Sequence, residues 1–86
     1  MSVHTWDEVK VQHPVGSEIR GVIANIQIYG VWVKYDFEFF GLMLIPDSGI
    51  ERGRMLTDVF SVGQSITAMV IHHNDQKNQL VLSRRA

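Results

Sequence analysis

The sequence predicts an all-β domain, a small barrel or sandwich of five short strands, and three observations point there. Stretches rich in β-branched and aromatic residues recur along the chain, turn residues such as Pro14, Gly16, Pro46, Gly49 and Asn74 separate them at short intervals, and no regular alternation of strand with helix is present.

The elements follow in order. Thr5, Trp6, Asp7 and Glu8 have capping-box spacing, with a hydroxyl placed to accept from the amide three residues on, so a short helix starts there. Pro14 disfavours helix for its predecessor and Gly16 tolerates turn geometry, so the helix ends before them. From Glu18 the period becomes two: Ile19, Gly21 and Ile23 alternate with Arg20, Val22 and Ala24, and β-branched residues continue through Val33, giving a long first strand and then a second. The run FGLMLI, residues 40–45, is a third strand closed by Pro46, Asp47, Ser48 and Gly49. Residues 49–58 show neither period and read as a loop, with a helical turn ending near Phe60. SITAMVIH is the fourth strand, NDQKN at 74–78 the turn, and QLVLS the fifth strand.

A chain of 86 residues allows one domain, with residues 1–16 as helix and lead-in and 17–86 as the barrel. With 45% hydrophobic and 20% charged residues the chain lies far from the composition that stays unfolded. The formal net charge of −1 gives no overall pull on polyanions, so any nucleic-acid contact needs local clustering of cations. The absence of cysteine fits a reducing compartment, and a cytoplasmic protein is expected. The opening residues lack a basic start and apolar run, and no stretch approaches the roughly 20 apolar residues of a membrane span, so neither export nor membrane insertion is expected.

The stretch NIQIYGVWVKYDF, residues 25–37, holds four aromatic rings around Gly30. In a regular strand Tyr29 and Trp32 fall on opposite faces. A glycine inside a strand often marks a bulge, and a bulge at Gly30 would turn Tyr29, Trp32 and Lys34 to one outer surface and Val31, Val33 and Tyr35 inward. Outward rings could stack unpaired bases at about 1–3 kcal/mol each, with Lys34 following the phosphates; inward rings would be core filling. Catalysis is not expected. His72 and His73 are adjacent and point to opposite faces of a strand, His4 and His13 lie in the N-terminal segment, and no phosphate loop or activated nucleophile is present, Ser83 having no partner arrangement. No metal site or cofactor is expected either. Arg52 and Arg54 have Glu51 and Asp58 nearby and read as solvated charge, whereas Arg84 and Arg85 have no acidic neighbour.

The run TWDEVKVQHPVGSEIRGVIANIQIYGVWV resembles the start of the S-one RNA-binding domain, the repeat type named after the largest small-subunit ribosomal protein. Trp6, Pro14-Val15-Gly16, Gly21-Val22 and Tyr29-Gly30-Val31-Trp32-Val33 stand where that family has its Trp, Pro-Val-Gly, Gly-x-Val and aromatic-Gly-x-aromatic-Val motifs. FGLMLIPD, VFSVGQSITAMVI and LVLSRR look like its later segments. The resemblance implies a five-stranded Greek-key barrel of the oligonucleotide/oligosaccharide-binding (OB) type. It also implies single-stranded RNA as partner, alone or within a ribosome or other RNA–protein complex, with Tyr29 and Trp32 as an RNA-facing platform. The remaining candidate nucleic-acid contacts are Lys34, from the strand geometry, Arg84, whose charge could flank the platform, and Leu44, Asn74 and Gln79, which stand at the family's binding positions without its residues. The family's His falls at Leu44, its turn Asp at Asn74 or, with a shifted gap, Asp75, and its turn Arg near Gln79, which leaves stacking with less electrostatic help. If Leu42 and Leu44 face outward with Tyr29 and Trp32, the same surface suits a protein partner or a homodimer, the alternative reading.

Overall fold

The computed structural model describes residues 5–35, 39–51 and 53–84. Helix α1 (Trp6–Gln12) leads into β1 (Glu18–Gln27), β2 (Gly30–Lys34) and β3 (Phe40–Leu44); two single turns, α2 (Ile45–Ser48) and α3 (Leu56–Val59), precede β4 (Ser65–Asn74) and β5 (Gln79–Ser83). The strands close into a barrel in the order β1-β2-β3-β5-β4. Every pairing is antiparallel except β3 with β5, where Gly41 faces Leu80 and Leu42 faces Val81. This is an OB-type barrel with an N-terminal helix and a helical turn between β3 and β4.

Alternation fills the interior. In β1 Ile19, Gly21 and Ile23 are buried between exposed Glu18, Arg20 and Val22, and β2 sends Val31 and Val33 inward. Met43, Ile66, Ala68, Val70, Leu80 and Leu82 complete the barrel core, while Leu56 and Phe60 cover one end. Helix α1 starts as its sequence indicates, with the Thr5 hydroxyl accepting from the Glu8 amide at 3.2 Å. Val9 buries itself against the barrel.

Two details differ from the sequence reading. Ile45 opens α2 instead of ending β3. The bulge does not lie at Gly30 either. Ile23 pairs with Val33 and Asn25 with Trp32, so the extra residue is Ala24 in β1, and a second irregularity falls at Ile71, between Val70 and His72 in β4. Gly30 is regularly paired with Gln27 on one side and Leu44 on the other, directly after the two-residue turn Ile28-Tyr29. The position requires glycine for proximity, because a Cβ there would stand 2.4 Å from the Met43 carbonyl oxygen.

Candidate functional site

The outer face of β2 and β3 carries the candidate site. With Val31 and Val33 pointing inward, Trp32 and Lys34 point out, and the facing residues of β3, Phe40, Leu42 and Leu44, point the same way through the pairs Lys34 with Phe40, Trp32 with Leu42 and Gly30 with Leu44. Tyr29 stands at the end of this row, on the turn, 45% exposed. The expected grouping of Tyr29, Trp32 and Lys34 is therefore present, brought about by the hairpin turn and strand alternation without a bulge at Gly30.

The rings hold one another. The Trp32 indole N–H donates to the Tyr29 hydroxyl at 2.9 Å, and the two rings meet edge to face with centroids 6.4 Å apart. Phe40 meets Trp32 from the other side at 6.4 Å, again nearly perpendicular. Phe40, 40% exposed, lies outside the site residues that the sequence suggests, although its parity with Leu42 and Leu44 points to it.

Beside Trp32 the surface opens into a groove of about 720 Å³ lined by Ala24 and Asn25 at the β1 bulge, by Trp32, Phe39 and Phe40, and by Lys77, Asn78 and Gln79 from the β4–β5 turn. This volume falls in the ~300–1,000 Å³ range of small-ligand sites. Of the remaining sequence-nominated residues, Gln79 lines the groove and Leu44 borders the ring row at 37% exposure. Asn74 lies at the end of β4, where its side-chain oxygen accepts from the amides of Gln76 at 3.2 Å and Lys77 at 3.3 Å, a turn-forming arrangement. Arg84 stands apart, its guanidinium 5.2 Å from the centre of the Phe60 ring and its amide donating to the Asp47 carbonyl at 2.8 Å. Arg54 lies 4.0 Å from Asp58, in keeping with solvated surface charge. His4, Arg52 and Arg85 lie outside the described residues.

The β4–β5 turn is tied to α1. The Asp75 carboxylate accepts from the Trp6 indole N–H at 2.7 Å and from the Lys10 ammonium at 2.9 Å. The hydrogen bond from Lys10, then that from Trp6, holds the Asp75 carboxyl below its ordinary value, and the same bond to Asp75 raises Lys10 above its own. Trp6 also packs against Phe39 and His73, with centroids at 5.6 and 6.1 Å. His73 is joined through Nε2 to the His13 carbonyl at 2.8 Å, while His72 is exposed. Among the described residues no group of three His, Cys, Asp or Glu could hold a metal ion, and no helix is long and apolar enough to cross a membrane.

No family profile matches the chain. Small ribosomal subunit protein bS1 of Chlamydia trachomatis is 30% identical over 83 residues, 96% of this chain and 15% of that protein. The solution structure of GSP13 from Bacillus subtilis superposes with a TM-score of 0.75 at 30% identity, covering 83% of this chain and 55% of that one. A chain of the a/eIF2alpha–aDim2p–rRNA complex from Pyrococcus horikoshii matches at a TM-score of 0.73 and 25% identity, over 83% of this chain and 44% of that one. The chain thus spans about 15% of the length of the bS1 proteins it matches. With likeness running over nearly the whole chain, the five-strand order of the barrel beneath it and the aromatic pair in the expected place, the chain is an S-one-type RNA-binding domain.

Proposed function

We propose that the domain binds single-stranded RNA weakly and, along most of the strand, without regard to sequence. Successive bases stack on Tyr29, Trp32 and Phe40, while Lys34, in register with Phe40, and Lys77 meet the phosphates. The observation that carries this reading is the row of three mutually supporting rings on an outward face with those two lysines beside it. Each π-face accepts any base at about 1–3 kcal/mol, and OB barrels use their second and third strands and the β4–β5 loop in this way. The rRNA in the Pyrococcus complex and the ribosomal bS1 relatives support the same ligand class. The domain is read as a non-catalytic binding module of the cytoplasm, working with RNA alone or in a ribosome or other RNA–protein complex.

The test is titration of a short unstructured RNA at two salt concentrations with the protein and its Trp32→Ala variant. A Kd raised about tenfold in the variant and weaker binding by both at higher salt are expected. Equal binding by both, or none by either, would refute the assignment. A second reading rests on the exposed apolar border, Tyr29 at 45% and Leu44 at 37%, which with Leu42 and Trp32 would suit a protein partner or a second copy. Solution mass decides it: a dimer abolished by Leu44→Asp favours self-association.

A further inference from the structure

The groove beside Trp32 has a feature that stacking does not use. Three side-chain amides, those of Asn25, Asn78 and Gln79, line it. Two other amides of the chain have structural work: the Asn74 oxygen accepts from two turn amides, and the Gln64 oxygen accepts from Ser61 N at 3.0 Å. Among the described residues the three groove amides make no such bond, and local backbone irregularity delivers two of them. Asn25 follows the extra residue Ala24 and is paired with Trp32. Asn78 is the single described non-glycine residue with positive φ, 52°, a conformation asparagine tolerates better than most residues.

We infer that this groove reads one base of the bound strand, and that the base is adenine. The inference rests on the proposed RNA binding and adds a specificity to it. A carboxamide presents a donor and an acceptor side by side. Adenine offers the complementary pair on both of its hydrogen-bonding edges, N6–H with N1 and N6–H with N7, so it can be gripped in either orientation. The other bases offer such a pair on their Watson–Crick edge alone: guanine has two acceptors on its N7/O6 edge, which suit a cation better, and pyrimidines have in addition a smaller face to lay on Trp32 and Phe40. Stacking would then hold the strand at every base while the amides select at a single position.

The experiment compares oligoadenylate, oligocytidylate and oligouridylate of six nucleotides at one salt concentration, using the protein, an Asn25→Ala/Gln79→Ala variant and an Asn78→Gly variant that keeps the left-handed turn. The protein is expected to prefer oligoadenylate about tenfold, the worth of one good bidentate pair. The preference should fall below about threefold in the double variant, with oligouridylate binding retained as evidence that the barrel is intact. Equal affinity of the unmodified protein for all three oligomers overturns the adenine site and leaves stacking standing. A preference that survives in both variants overturns the role of the amides. Absence of binding to any oligomer overturns both this inference and the RNA-binding proposal.

Discussion

The two tryptophans of the chain do opposite work with the same ring. Trp6 gives its N–H to a carboxylate that also holds Lys10, and its faces meet Phe39 and His73, so its free energy goes into docking α1 on the barrel. Trp32 gives its N–H to the neighbouring Tyr29 hydroxyl and sits edge to face between two partly exposed rings, lining an open groove. In both, the donor is satisfied within the protein. Both rings are half-buried, and what the rest of each ring meets separates them: the buried core at Trp6, an open groove at Trp32. Which role an indole has is thus decided by what lies against it.

Substitutions break this contrast in a graded way. The largest effect is expected from Gly30→Ala, which undercuts the Trp32 side at its base: the new methyl meets the Met43 carbonyl, and unfolding in urea should show a loss of about 3 kcal/mol. Next, Trp6→Ala should cost about 2 kcal/mol of stability, because a half-buried ring and its packing are lost. Trp32→Ala should cost less, about 1 kcal/mol, since its ring contacts are with Tyr29 and Phe40 rather than with the core, and should act chiefly on RNA affinity. If Trp32→Ala unfolds the domain as readily as Trp6→Ala does, the distinction between the two rings fails. Smaller still, Lys34→Gln and Lys77→Gln should each flatten the slope of log affinity against log salt by about 0.7 while leaving thermal midpoints in place.

The smallest effect sharpens the Trp6 side by pH. A carboxyl held below its ordinary value contributes stability above its unfolded pKa of about 3.9 and loses that contribution as pH falls through the depressed folded value. Lys10, held above its ordinary value, contributes below about 10.4 and loses that as pH rises past its folded value. The tie therefore holds across the neutral range. Followed by NMR, the Trp6 indole N–H resonance should shift on acidification below about pH 4, with the Trp32 resonance serving as a fixed reference.

Much of this was legible from residue order, for local reasons. The capping spacing of Thr5 and Glu8 and the two-residue period from Ile19 to Ile23 are short-range signals, and both elements stand where those signals fall. The ring pair was legible as well, but through the wrong device. A glycine in a strand serves either a bulge or a close approach, and only the Met43 carbonyl across the ladder distinguishes the two. The groove was largely hidden. Asn25 depends on an irregularity at Ala24, which carries no residue-type signal, and Lys77 and Asn78 reach the site through the fold-back of the β4–β5 turn. Asn74 and Asp75 were interchangeable by position, yet one shapes the turn and the other anchors α1, a difference set by contacts with residues more than 60 positions away.

The closed order of the strands limits how this molecule can hold anything. Among the described residues each strand has a neighbour on either side along part of its length, so open main-chain edge is confined to strand ends such as that of β1 beyond Ile23. Recognition falls mainly to side chains projecting from the wall. Substitutions at those outward positions can therefore change ligand preference over evolutionary time while the hydrogen-bonded scaffold beneath them stays as it is.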